Sequence, residues 1–291
     1  MASNTARALL LALMLIGLAA EARADTPAEW IRRAVASLCP LDHLDGLAAQ
    51  EALPGSWFLT ETREPATGEA RRIRLRLVLP GAAEIEIERR QAGGRLRQFI
   101  VAFFDAGEAG PPRPVMQGFA DGGCMLRSGR AIRRDGPVWQ YLDQLDGDLA
   151  TLRWSEVLQA PWPPGEDPGG VRVALVDSGL AYDLAPFRDR LARGADGTPL
   201  GFDFWDMDAW PYDGDTARGP FLPIRHGTAV ASVLAREAPD AALIPFRFPR
   251  PALERMGDLV EAAHAAGARI LAMPIGSARR ADWAAFEAAM R

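Results

Sequence analysis

The stretch Val171-Arg-Val-Ala-Leu-Val-Asp177-Ser-Gly179 decides the fold prediction for the second half of the chain. Five of its first six residues are apolar and three of them are Val, which is typical of a strand buried on both faces of a parallel sheet. The apolar run ends at Asp177, and Ser178-Gly179 then marks a change of chain direction. Because loops and helix starts converge at the carboxyl ends of parallel strands, Asp177 is a candidate site residue.

Strand-like and helix-like segments alternate after this stretch. We predict strands at 243–248 and 269–273, and helices at 226–236, at 252–266 and from Asp282 onward. Such alternation favours an α/β domain, a parallel sheet with flanking helices, over residues 171–291. The long polar connection before His226 contains Asp203, Asp206, Asp208, Asp213 and Asp215, which are possible Ca²⁺ ligands. No Ca²⁺-loop consensus is present, so solvated loop acids are the alternative and we assign no metal ligand.

The segment Arg225-His226-Gly227-Thr228-Ala-Val-Ala places a His at the start of a small-residue helix. Together with Asp177-Ser-Gly179, it resembles the histidine and aspartate motifs of the subtilisin-like serine proteases (subtilases), in the same Asp-before-His order. The resemblance implies a subtilisin-like parallel sheet, incomplete in this sequence, and cleavage of polypeptide substrates by an Asp-His-Ser triad. Asp177 would orient the imidazole and His226 would be the general base. Gly179, Gly227 and Thr228 would be structural.

Two further parts of the family pattern bear on substrate binding and on the nucleophile. Met273-Pro274-Ile275-Gly276 lies where subtilases hold an extended substrate through backbone hydrogen bonds, although Pro274 lacks an N–H. The serine motif Gly-Thr-Ser-x-Ala is absent. The only Asn is Asn4, in the predicted signal peptide, so the asparagine that stabilises the oxyanion in subtilases is absent too. We therefore expect the front part of a catalytic domain, from either a fragment or a degenerate gene.

The sequence is compatible with other functions. The alternative to a protease is a non-catalytic exported protein, a pseudoprotease or peptide-binding remnant. A phospho-acceptor domain using Asp177 would need a second acid or a phosphate-binding Gly loop nearby, and we find neither. The formal net charge of -5 and the lack of a basic patch argue against a nucleic-acid partner.

The first half of the chain has a different pattern. Residues 1–24 resemble a signal peptide with Ala22-Arg23-Ala24 as the cleavage site, which predicts export to the periplasm or the extracellular space and no membrane association after cleavage. An uncleaved anchor is the alternative. Cys39 and Cys124 then form a disulfide or remain two buried thiols. Residues 161–170, with four Pro and three Gly, read as a linker.

Between signal and linker, residues 25–160 predict a small helix-plus-antiparallel-sheet domain, either a pro-region or a separate targeting module. A helix spans 26–53 with a break at Pro40. In a hairpin around Pro80, the Arg residues of 72–76 face the Glu residues of 84–88, while the Ile and Leu side chains share the opposite face. Further strands are predicted at 97–104, 124–132, 138–142 and 149–154.

Overall fold

The computed structural model of the chain describes residues 26–67, 70–107, 112–214, 219–249 and 252–291. The predicted signal peptide, residues 1–24, lies outside the described residues, and so does Asp215. None of the helices within these ranges is both long enough and apolar enough to cross a bilayer.

The first half of the chain forms one antiparallel sheet of eight strands that follow each other in sequence order. Its strands are β1 (Trp57–Thr67), β2 (Ala70–Val78), β3 (Glu84–Ala92), β4 (Arg95–Asp105), β5 (Arg113–Asp121), β6 (Leu126–Asp135), β7 (Trp139–Asp146) and β8 (Leu152–Gln159). The predicted hairpin forms, and Arg74 pairs with Glu88 and Arg76 with Glu86 across β2 and β3. The predicted pairing of every Arg with a Glu is wrong at its ends, because Arg72 faces Arg90 and Glu84 faces Val78. The alternating Leu and Ile side chains are buried on the opposite face.

Two strands of this sheet are not predicted from the sequence. The edge strand β1 carries mixed charges and Pro65, and β5 contains Pro114 and Gly118. An edge strand tolerates Pro because its outward N–H needs no partner. Gly118 lets a helix approach closely, since a Cβ atom there would lie 2.6 Å from Cγ2 of Ile31.

Two helices cover one face of the sheet, α1 (Pro27–Leu38) and α2 (Gly46–Ala52). Thr26 caps α1 by accepting from the Glu29 N–H, while the Glu29 carboxylate accepts from the Thr26 N–H. Pro40 ends the predicted 26–53 helix, as expected. Cys39, at the end of α1, forms a disulfide with Cys124 in the turn between β5 and β6.

The second half contains a four-stranded parallel sheet in the order β10-β11-β9-β12. Its strands are β9 (Arg172–Asp177), β10 (Phe202–Asp203), β11 (Ala242–Arg247) and β12 (Ile270–Ala272). The helices are α3 (Ala185–Arg188), α4 (His226–Glu237), α5 (Met256–Ala265) and α6 (Ala284–Ala289), with 3₁₀ turns at Leu253–Arg255 and Arg280–Trp283. Separate apolar clusters fill the two sides of this sheet, one beneath α4 and one beneath α5.

The prediction of a subtilisin-like α/β fold is wrong. The described residues are mostly β, with 37% in strands and 23% in helices, and the larger sheet is antiparallel. The error has two physical sources: β1 and β5 enlarge the first sheet beyond the small domain predicted, and the parallel sheet has only four strands, two of them very short. The antiparallel sheet, with eight strands, is therefore the larger part of the structure, and the parallel sheet, with four, is the smaller.

The two sheets contact each other through the segment that leads into α4. Phe221 of this segment is buried with Phe104, Leu142 and Leu158 of the antiparallel sheet. The carbonyl of Phe221 accepts a hydrogen bond from Arg130 at 2.6 Å. The start of α4 is thus held against β6 and β8.

Candidate active site

Asp177 and His226, the two predicted catalytic residues, are in direct contact. Nδ1 of His226 lies 2.7 Å from Oδ1 of Asp177. The Asp177 side chain is only 2% exposed at the end of β9, whereas the imidazole, at the first residue of α4, is 51% exposed. Because an ionised carboxylate can only accept, the hydrogen of this bond belongs to Nδ1 of the neutral imidazole. Nε2 is then the nitrogen that can take up a proton.

The two carboxylate oxygens of Asp177 differ in their hydrogen bonding. Its Oδ1 also accepts from the N–H of Ser178 at 2.7 Å. Its Oδ2 is buried and has no hydrogen-bond partner among the described residues. The interaction of this carboxylate is therefore concentrated on one oxygen, the one that faces His226.

The first turn of α4 is capped by side chains from elsewhere in the fold. Its N-cap residue, Arg225, makes no capping bond. Instead, Ser178 Oγ accepts from the Gly227 N–H at 2.9 Å, and Asp213 Oδ2 accepts from the Thr228 N–H at 2.7 Å. Ser178 Oγ also donates to Asp213 Oδ1 at 2.8 Å. These bonds satisfy two of the helix's open N–H groups and connect the end of β9 to the start of α4.

Asp213 is fully buried in this network. Burial raises the pKa of its carboxyl above the usual range of an aspartate, against the lowering effect of its bonds to Thr228 and Ser178. Its carboxylate lies at a helix N-terminus, where the backbone dipoles favour negative charge. Asp213, one of the possible calcium ligands of the polar connection, is instead a helix cap.

Glycine and threonine fit this junction closely. A Cβ atom on Gly227 would lie 2.1 Å from the carbonyl oxygen of Gly179, and Gly179 itself has φ of 112°. Oγ1 of Thr228 accepts from the Ala181 N–H at 3.0 Å. The three residues predicted to be structural therefore lie together where β9 meets α4.

Arg225 links this junction to the antiparallel sheet. Its backbone is left-handed, with φ of 58°. Its guanidinium donates to Oε1 of Glu156 at 3.1 and 3.0 Å, and also to the carbonyl oxygens of Val157 and Asp213. The guanidinium also lies 5.3 Å from the ring centroid of Tyr212. The residue next to His226 is thus fixed by β8, a contact that no sequence pattern indicated.

A cleft of about 320 Å³ adjoins the pair. Asp177 and His226 form one wall. Apolar side chains from α5 and the segments around it form much of the remainder; these are Phe248, Leu253, Met256, Ile275 and Trp283. Of the predicted substrate-binding residues, Ile275 and Gly276 line the cleft. Met273 packs into the core of the parallel sheet instead, and Pro274 is exposed. Residues 273–276 follow the end of β12 and are not in a strand.

Two serines line the cleft, and both hydroxyls are bonded to carboxylates. Ser178 donates to Asp213, and Ser277 Oγ lies 2.5 Å from Oδ2 of Asp282. Ser277 Oγ also accepts from the Arg279 N–H at 3.1 Å. The described part of the cleft therefore shows an acid–base pair whose neighbouring serines are engaged elsewhere.

The guanidinium of Arg247 lies between the acidic side chains of Asp203 and Asp206. Arg247 Nη1 donates to Asp203 at 2.9 Å and to Asp206 at 2.5 Å. Burial raises the pKa of Asp203, against the attraction of Arg247. Asp208 accepts from the Trp210 N–H at 2.7 Å. Within the described ranges, no group of three or more His, Cys, Asp or Glu side chains is arranged to hold a metal ion.

Comparison of the chain with protein-family models, with curated proteins and with solved structures gives no match. A functional assignment therefore depends on the geometry of the site.

Proposed function

We propose that Asp177 and His226 are the orienting carboxylate and the general base of an exported serine endopeptidase that acts on polypeptides. The observation that carries this proposal is the 2.7 Å contact between Oδ1 of a nearly buried carboxylate and Nδ1 of a half-exposed imidazole at the mouth of a cleft. It rests on side-chain geometry and on the motif resemblance, and it does not require a subtilisin-like fold.

The two residues would act as in other Ser-His-Asp centres. The carboxylate holds His226 with its hydrogen on Nδ1, so Nε2 takes the proton of the attacking hydroxyl, and the carboxylate stabilises the imidazolium that forms. The apolar cleft beside His226 would receive a side chain of the polypeptide. The Cys39–Cys124 disulfide is consistent with an oxidising compartment outside the cytosol.

The nucleophile in this proposal is not one of the serines of the described residues. The seven serines after residue 24 all lie outside a Gly-Thr-Ser-x-Ala context. The two in the cleft donate to carboxylates, as described above. This observation favours a second candidate, an exported peptide-binding protein that retains the acid–base pair without cleaving its ligand.

Sequencing the coding region beyond codon 291, followed by labelling with a fluorophosphonate probe, separates the two candidates. The endopeptidase proposal expects an in-frame Gly-Thr-Ser-x-Ala motif, with labelling of the encoded protein that is lost in His226→Ala. A stop codon together with absence of labelling would leave the peptide-binding candidate. Labelling of the purified 291-residue chain itself would exclude that candidate, and a Ser277→Ala variant would then show whether the serine in the cleft had reacted.

A further inference from the structure

An arginine interrupts the apolar face of strand β3. Ile85, Ile87 and Arg89 alternate along the face that packs against α1 and α2, and Arg89 pairs with Ile73 of β2, whose side chain contacts the core. Arg89 is only 6% exposed. A guanidinium at a core-facing position is unusual, because charged side chains are rarely buried without a partner.

The hydrogen bonds of Arg89 do not include a carboxylate. Its Nη1 donates to the carbonyl oxygens of Leu41 at 2.5 Å and Cys39 at 3.5 Å. Arg89 forms no ion pair with the described residues. The charge of Asp42 affects the pKa of Arg89 without a hydrogen bond between the two side chains. Burial lowers the pKa of Arg89, with the charge of Asp42 opposing. A guanidinium has five N–H donors, so these two carbonyls leave most of its donor capacity unused.

Arg89 faces a pocket of about 740 Å³ lined by four arginines. Arg63 and Arg72 have carboxylate partners, Glu61 and Glu64 respectively. Arg71 forms no ion pair with the described residues and lies on the same sheet face as Arg89, two positions before Ile73. Of the described residues in this lining, Asp42 and Glu64 are acidic, against four guanidiniums. The guanidiniums outnumber the carboxylates even when Glu61, the partner of Arg63, is counted, and Arg71 and Arg89 are the two that form no ion pair with the described residues.

We propose that this pocket binds a phosphate-type dianion between Arg71 and Arg89. Neither guanidinium has a carboxylate partner among the described residues, and each can donate two parallel hydrogen bonds to a tetrahedral oxyanion. The ligand would neutralise the buried charge of Arg89. The pocket is larger than one phosphate ion, so it can also accommodate the organic part of a phosphate monoester.

Isothermal titration of the full chain with inorganic phosphate, at constant ionic strength, tests this proposal. We expect saturable binding that weakens at least tenfold in Arg71→Gln, whose exposed side chain is not needed for folding, and in Arg89→Met. The control is Arg153→Gln, which removes the same charge from the exposed edge strand β8 and should leave the affinity unchanged.

Two further ligands sharpen the test. Acetate, a monoanion, should bind more weakly than phosphate. Glycerol phosphate should bind at least as tightly as inorganic phosphate, because the pocket has room for its organic part. Absence of phosphate binding to the wild-type chain at millimolar concentration overturns the proposal. Binding that is equally strong in Arg71→Gln and in the Arg153→Gln control overturns it as well, because it would show a diffuse attraction to surface charge.

Discussion

Replacing Arg225 should loosen the junction between the antiparallel sheet and the first turn of α4. Its guanidinium bonds Glu156, Val157 and Asp213, and its side chain is 21% exposed. We estimate about 1 kcal/mol for the partly exposed ion pair and about 1 kcal/mol for each bond to a carbonyl. Arg225→Ala should therefore lower the free energy of unfolding by about 3 kcal/mol.

The left-handed backbone of Arg225 provides a matched control. A non-glycine residue at φ of 58° carries strain, about 1–2 kcal/mol, that glycine avoids. Glycine also has more freedom to lose on folding, about 0.5–1 kcal/mol. Arg225→Gly should thus lose the same side-chain contacts as Arg225→Ala but remain about 0.5–1 kcal/mol more stable.

Urea unfolding followed by both tryptophan fluorescence and circular dichroism measures these differences, provided that the two probes give one transition. A double-mutant cycle of Arg225→Ala with Glu156→Ala should give a coupling of about 1 kcal/mol. The reasoning is refuted if Arg225→Ala costs less than about 1 kcal/mol, or if the glycine variant is no more stable than the alanine variant.

Three further predictions concern Asp213, the disulfide and Glu88, whose carboxylate forms ion pairs with Arg74 and Arg90. Asp213→Ala should cost about 2–3 kcal/mol in urea unfolding because two bonds to a buried carboxylate are lost. Because the pKa of Asp213 is raised in the folded state, the stabilisation that comes from its protonated form is present at low pH and is lost as the pH rises through that pKa. The free energy of unfolding of Asp213→Asn should therefore decrease less over this pH range than that of the wild-type chain. Replacing both Cys39 and Cys124 by Ser opens a link across 85 residues and should cost up to about 4.5 kcal/mol on the chain-entropy model, seen as a lower Tm with unchanged far-ultraviolet circular dichroism. Burial would raise the pKa of Glu88, but Arg90 and Arg74 lower it overall from 4.5, so its stabilisation is present above that pH and is lost as the pH falls below it; Glu88→Gln should flatten the acid side of the stability curve, and an unchanged curve would contradict the pairing.

The local features of the fold were predictable where one segment determines its own structure. The alternating charges around Pro80 predicted the hairpin and the face on which the charges lie, although Arg72 faces Arg90 and not a Glu. The apolar run before Asp177 gave a strand of the parallel sheet, and the small residues after His226 gave a helix. In these segments the periodicity of apolar side chains matches the element formed.

The fold class was not predictable in the same way. β1 and β5 contain charges, Pro and Gly, and they form strands because their neighbours in the sheet supply partners and because α1 packs against Gly118. Tertiary context overrides strand propensity at such positions. The relative sizes of the two sheets therefore depended on contacts that a single segment does not encode.

The candidate site was predictable in its two principal residues but not in their supports. Asp177 and His226 were found from motifs, whereas the cap from Asp213 and the anchor from Glu156 to Arg225 join residues far apart in sequence. Asp213 appeared in the sequence only as one acid among several in a polar connection. Burial and hydrogen bonding distinguish it, and both depend on residues that are distant from it in sequence.

The tautomer of His226 is the most direct test of the acid–base pair. The chain has three histidines, so long-range ¹H–¹⁵N correlation spectra of the full chain can be assigned with a His226→Gln variant. Our account predicts that neutral His226 carries its hydrogen on Nδ1 and that Asp177→Asn, which can donate from its amide, shifts the population toward the Nε2–H form. A wild-type His226 with its hydrogen on Nε2, or a tautomer ratio unchanged by Asp177→Asn, would contradict the assignment of Asp177 as the residue that orients the base.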